Sequence, residues 1–167
     1  MRRTPSVVHP AWGLPIAVAA CAALLVAVMG GTITEIGPWY HGLVQPRWAP
    51  PEAAYGVVWT TIYLITTCAA VTGWRAIPDR HGAEWMIGLF ALTGFLNIVW
   101  SVLLFRLHRP DWAAVEAVAW WVAIVVWIYT LWPRSLAAAL LLLPYLGVVT
   151  FAGYLTMTIA RLNGPFG

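Results

Sequence analysis

The side chains best suited to hold a metal or a haem are the histidines, His9, His41, His81 and His108. Axial haem ligation needs His, Cys, Met or Tyr inside the protein. All four histidines fall in segments that punctuate or flank the apolar runs, so the sequence argues against a bis-histidine membrane cytochrome. Their spacing gives no zinc site either. Cys21 and Cys68 stand in the middle of apolar runs and form no CxxC motif. Both read as small, buried packing residues. Ser101 has no evident base, no Ser/His/Asp set shares one depth, and no phosphate-binding glycine loop is present.

What remains is amide, carboxylate and aromatic chemistry. Asn97 lies mid-way along an apolar run, with Thr93, Trp100 and Ser101 on its helical face at i−4, i+3 and i+4. An amide at that depth must find a partner, which a neighbouring helix can supply. Glu116 stands about one turn inside a second run. A carboxylate inside a membrane span is a functional candidate by default. Its place near a helix N-terminus, within reach of Arg106 and Arg109, favours structural pairing instead. Trp59 and Trp100 sit a turn or more inside their runs, where core packing accounts for them.

The elements that position these residues are membrane spans. The chain of 167 residues is 62% hydrophobic and 9% charged, with mean hydropathy +0.80. Soluble domains carry about 25% charged residues, so this surface must largely meet lipid. Five stretches reach the ~20 residues a crossing helix needs: Ala11–Thr34, Ala53–Trp74, Trp85–Phe105, Trp112–Pro133 and Ser135–Ala160. Lipid leaves no partner for an open strand edge, so all five are read as helices. The short links between the later stretches force antiparallel neighbours. The first stretch follows Arg2 and Arg3 and is longer than a signal-peptide core, so it is read as a retained helix. All nine basic side chains are arginine, divided five to four between the two faces, which leaves orientation open. No basic stripe with interleaved aromatics points to nucleic acid. Ladders of small residues, Ala19–Ala23–Ala27, Ala113–Ala117 and Ala152–Thr156–Ala160, allow close helix approach within the bundle or across a dimer seam. Pro144 predicts a kink in the last span, with the Leu140 carbonyl freed.

One connection is exceptional. Residues 35–52, EIGPWYHGLVQPRWAPPE, form a loop far above the usual connection length. Its prolines, Pro38, Pro46, Pro50 and Pro51, restrict the backbone, so the loop is stiff. Trp39, Tyr40 and Trp48 on it would form an interfacial belt or a lid across one end of the bundle.

These residues, taken in register, carry a resemblance. Trp39-Tyr40, Leu43, Pro46, Trp48, Pro50-Pro51, Val58-Trp59 and Tyr63 resemble the signature of the TspO/MBR family of translocator and tryptophan-rich sensory proteins. Asn97, Trp100, Ser101 and Phe105 resemble its LNxxWSxxFF stretch, and Trp112-Ala113 with Glu116 its WAxVD/E. Pro144-Tyr145-Leu146, Phe151-Ala152, Leu155 and Leu162-Asn163 resemble its last-helix motif. Thr93, Gln45, Val148 and Thr156 depart from the pattern, replacing Gln, Lys, Trp and Asn, and the sterol motif of some animal members fails at Met157.

The resemblance implies an all-α membrane protein, one TspO-type domain of five transmembrane helices over residues 1–167. It implies a homodimer, integral and multi-pass, in a bacterial cell envelope. The implied ligands are tetrapyrroles such as protoporphyrin IX and haem, bound as ligands with no cofactor required. The implied ligand contacts are Trp39, Tyr40, Trp48, Pro51, Trp59, Tyr63, Asn97, Trp100, Ala152 and Leu155. Sensing or transport is the expected role. The alternative is a light- and oxygen-dependent porphyrin-degrading enzyme with Trp59 as its candidate catalytic residue.

Overall fold

The computed structural model describes residues 13–166. The readings that involve Arg2, Arg3, His9 and Ala11 lie outside these residues. Five helices are long and apolar enough to cross a membrane. The first span is α1, Gly13–Ile33. A single-turn helix, α2, covers Pro38–His41 within the long loop. The second and third spans are α3, Glu52–Ala76, and α4, Arg80–Ser101, which continues as a π-helical turn over Val102–Arg106. The fourth is α5, Pro110–Leu131. The fifth is made of two pieces, α6, Leu136–Leu141, and α7, Leu143–Asn163.

The helix ends explain where the expected bounds shift. Asp79 caps α4 by accepting from Gly82 N at 2.7 Å, and Arg80 pairs with Glu84 at 2.7 Å. The charged stretch before Trp85 is therefore the first turn of α4 rather than a link. Gly82 is required there, since a Cβ would stand 2.8 Å from Ile77 Cγ2. Pro110 starts α5, where its missing N–H costs nothing. α7 runs on to Asn163, whose Nδ2 donates to Ile159 O at 2.9 Å. The expected kink near Pro144 is a one-residue interruption at Leu142, which keeps a right-handed helical backbone. Leu142 N turns back to Ala139 O at 3.2 Å, and the helix restarts with Leu146 N on Leu142 O at 3.0 Å. The Pro144 nitrogen has no hydrogen to donate to the Leu140 carbonyl, so the helical ladder is interrupted within the span.

Small residues set the packing. A Cβ on Gly73 of α3 would lie 2.5 Å from Leu131 Cδ2 of α5, and one on Gly153 of α7 would lie 3.2 Å from Ala117 Cβ of α5. Ala19, Ala23, Ala113, Ala117 and Thr156 are all buried within the one chain. Lipid tails are as apolar as leucine, so close backbone approach is what holds such helices together. α1 packs on α3 and α4, α5 on α4 and α7, and α6 on α3. α3 and α7 meet only briefly, which leaves space between them at the loop end of the bundle.

Cys21 and Cys68 correct the sequence reading, since both are exposed on the outer face. In a bundle made for lipid, the outside is as apolar as the core, so an apolar run does not tell which residues are inside.

Candidate functional site

The long loop is fastened at both ends and along its length. Arg106, on the π turn, donates from Nη1 to Glu35 Oε2 at 3.0 Å and from Nη2 to the Thr32 carbonyl at 2.6 Å. Trp39 stacks on His108 with ring centroids 4.1 Å apart and planes 20° from parallel. His108 reaches this position with φ 55, a left-handed backbone that a β-carbon disfavours. The π turn before it closes with Leu107 N on Val102 O at 2.9 Å, and such turns cluster at functional sites. Within it Leu104 and Phe105 are turned into the bundle, both buried. His41 lies 2.5 Å from Glu52 at the head of α3.

Asn163 holds the middle of the loop. Its Oδ1 accepts from Val44 N at 2.7 Å, and its Nδ2 donates to Val44 O at 2.9 Å. The side-chain amide copies a strand partner and ties the loop to the end of α7. Asn163→Ala removes both bonds, each worth about 0.5–1.5 kcal/mol. Hydrogen exchange at the Val44 amide is expected to rise while exchange in α3 and α5 stays unchanged. Unaltered Val44 protection would mean that the prolines alone hold the loop.

Beneath the loop lies a cavity of about 600 Å³. The end of α1 opens onto it at Gly30, Gly31 and Thr34, the loop at Tyr40 and Pro50, and α7 at Val148 and Phe151. Of the residues singled out in the sequence, Tyr40, Trp59, Tyr63, Asn97 and Trp100 are on its wall, with Ala152 and Leu155 opposite. Trp39, Trp48 and Pro51 are placed elsewhere. Trp39 faces His108. Trp48 packs on the outer side of α7, parallel to Tyr154 at 5.3 Å and edge-on to Phe151 at 5.7 Å. Pro51 is the residue before α3, while its neighbour Pro50 meets the cavity. These three brace the lid from behind. Only Tyr40 turns inward, 5.6 Å from Phe105. Burial, and next the nearby Tyr55 hydroxyl, push its phenol above the ordinary value, so it faces the cavity as a neutral group.

The cavity wall is aromatic with one central polar contact. Tyr63 Oη donates to Asn97 Oδ1 at 3.2 Å. Gly30 of α1 comes up against this pair, since its Cβ would stand 3.5 Å from the Tyr63 hydroxyl. Trp59 stacks almost parallel on Trp120, with centroids 5.7 Å apart and planes at 8°. Trp120 is fully buried and donates from Nε1 to Tyr145 Oη at 2.8 Å. Trp100 closes the group 6.1 Å from Trp120. The sequence reading missed Trp120, because nothing in an apolar helix distinguishes a tryptophan turned inward from Trp112 or Trp121 turned out.

Glu52, at the head of α3, brings a carboxylate to this wall and pairs with His41, while other polar side chains there are tied to their own helices. Ser101 Oγ donates to the Asn97 carbonyl at 3.1 Å and Thr156 Oγ1 to the Ala152 carbonyl at 2.8 Å, each on its own helix. Neither His41 nor His108 lines the cavity. Glu116 departs from its expected pairing. Arg106 is held by Glu35 and Thr32, and Arg109 by Asp111 at 2.5 Å. Both Glu116 carboxylate oxygens are buried without a hydrogen-bond partner among the described residues.

A family model described as the TspO/MBR family matches residues 5–162. The chain is 36% identical over 156 residues to the tryptophan-rich protein TspO of Chlorobaculum tepidum, covering 89% of this chain and 96% of that one. It is 31% identical to the tryptophan-rich protein TspO of Archaeoglobus fulgidus, covering 85% and 92%. It is 30% identical to the translocator protein of Sus scrofa, covering 75% of each.

Proposed function

From its membership of the TspO/MBR family, to which this chain belongs, we propose that it binds tetrapyrroles such as protoporphyrin IX and haem, and similar hydrophobic molecules, as a membrane sensor or transporter. The observation that carries the reading is the aromatic cavity around Asn97. Its volume of about 600 Å³ suits a ligand of that size. Trp59, Tyr63 and Trp100 offer ring faces, each stacking contact being worth about 0.5–1.5 kcal/mol beyond burial. With Asn97 Oδ1 engaged by Tyr63, the amide N–H groups are the donors left to orient a ligand. The homodimer belongs to the same proposal. With most of the small-residue ladders buried inside the chain, its seam would use an exposed face such as Leu24, Leu25 and Val28 of α1. A bacterial cell envelope is the membrane in keeping with the Chlorobaculum tepidum relative.

The test is a porphyrin titration of purified protein, kept dark and followed by tryptophan fluorescence. Asn97→Ala is expected to weaken binding by about 1–2 kcal/mol, the order of a lost buried hydrogen bond. Thr93→Ala, a control one turn away, should change little, because Thr93 Oγ1 donates to its own helix at Phe90 O. Equal affinities for the unmodified protein and Asn97→Ala would reduce Asn97 to a structural partner of Tyr63.

A second reading, light-driven porphyrin breakdown, is favoured by the Trp59–Trp120 stack, which puts a further indole behind the one on the cavity wall. Val148 leaves the α7 wall without an indole. Slow loss of the porphyrin absorbance under illumination is therefore expected, and Val148→Trp should accelerate it severalfold. Overpacking by the larger ring would cost about 1–3 kcal/mol of stability. Fast loss in the unmodified protein that depends on Trp59 would put the enzyme ahead of the binder.

A further inference from the structure

A second cavity, of about 460 Å³, lies deeper in the bundle between α1, α3 and α4. Tyr63 belongs to the walls of both cavities. Its hydroxyl is already given to Asn97, so the Tyr63–Asn97 pair stands as the partition. Near that partition α1 closes down on α4, with Val26 Cγ2 3.0 Å from where a Gly94 Cβ would stand. Away from it the walls include Val18 of α1 and Ile87 of α4, both exposed on the outer face. The mouth therefore opens sideways, at a depth where the surroundings are hydrocarbon rather than water.

One wall residue departs from the pattern of most helical threonines among the described residues. Thr61, Thr67, Thr130, Thr150, Thr156 and Thr158 each donate to the carbonyl four residues earlier. Thr66 does not, although it is only 7% exposed, and its Oγ1 has no hydrogen-bond partner among the described residues. A buried hydroxyl without a partner calls for one. The neighbouring hydroxyls on the wall give their protons elsewhere. Thr93 Oγ1 donates to Phe90 O, and Tyr145 Oη accepts from Trp120 Nε1 and donates to Thr93 O at 3.5 Å.

We propose that this chamber is a second ligand site, for a bilayer-borne hydrocarbon chain ending in one neutral hydroxyl, a long-chain alcohol in chemical class, with Thr66 as its hydrogen-bond partner. The chemistry follows from the walls. They are apolar helix faces with a single unanswered polar group, so a charged or polyhydroxylated ligand would be left unsatisfied. A plain alkane would fill the space but leave Thr66 as it is. The proposal does not depend on tetrapyrrole binding in the first cavity.

The test uses the full-length protein in lipid nanodiscs and a hexadecanol carrying a diazirine, with the matching diazirine alkane as its control. Adducts are mapped by mass spectrometry after brief illumination. The alcohol is expected to label the chamber wall at residues such as Ala22, Ala70 and Phe90, and unlabelled hexadecanol should compete. Thr66→Val should cut that labelling about five- to tenfold, the scale of one hydrogen bond. Thr66→Ser, which keeps the hydroxyl, should retain it. If Thr66→Val fails to fold, the Thr66→Ser retention and the alcohol–alkane difference in the unmodified protein decide. Adducts confined to outer residues such as Val115, adducts on first-cavity residues such as Val148 instead, equal labelling by alkane and alcohol, or labelling in Thr66→Val equal to the unmodified protein would each overturn the proposal.

Discussion

Trp120→Ala is expected to lose about 3–5 kcal/mol of stability, the range for removing a buried tryptophan. Trp120 is fully buried, with Trp59, Trp100 and Tyr145 rings within 6.1 Å and its Nε1 bonded to the Tyr145 hydroxyl. The substitution opens a cavity among α3, α4, α5 and α7 and strips Tyr145 of its donor. Trp112→Ala is the comparison, because Trp112 stands half exposed at the start of α5 over the Arg109 guanidinium. It should lose well under half as much. Unfolding of purified protein in detergent by increasing denaturant measures both. Equal losses would mean that the aromatic cluster behind the first cavity does not organise the bundle.

The spans were legible because membrane helices are announced by length and apolarity alone, and the bilayer forbids the alternatives. Their ends were less so. The third stretch was expected to begin at Trp85, but the charged residues before it form a helical turn, since Asp79 caps α4 at Arg80. The stiffness of the long loop followed from its prolines, but not which aromatic would face inward. That choice depends on contacts with distant chain, Trp39 with His108 and Trp48 with Tyr154. Asn97 was legible from its depth, because an amide in hydrocarbon must be explained. Trp120 and Thr66 were not. Each looks ordinary in sequence, and only the orientation of its helix shows one to be the pillar of an aromatic cluster and the other a hydroxyl without a partner. The arginines offered to Glu116 by spacing are taken by Glu35 and Asp111, one of them from a different segment of chain.

The cavity itself is tested most directly by filling it. Ala152 of α7 contributes to its wall, and Ala152→Phe would put a ring into the space where a flat ligand would lie. Protoporphyrin IX is hydrophobic enough to adsorb to any membrane-facing surface, so the control is Val115→Phe, on the lipid-facing side of α5 at 73% exposure. The measurement is the dissociation constant of protoporphyrin IX in the dark for the unmodified protein and both variants, each confirmed folded by circular dichroism. Ala152→Phe is expected to weaken binding by about 2–3 kcal/mol, roughly 30- to 150-fold, and Val115→Phe to leave it unchanged. Equal affinities in all three proteins would place the porphyrin outside the cavity and contradict the binding function proposed here.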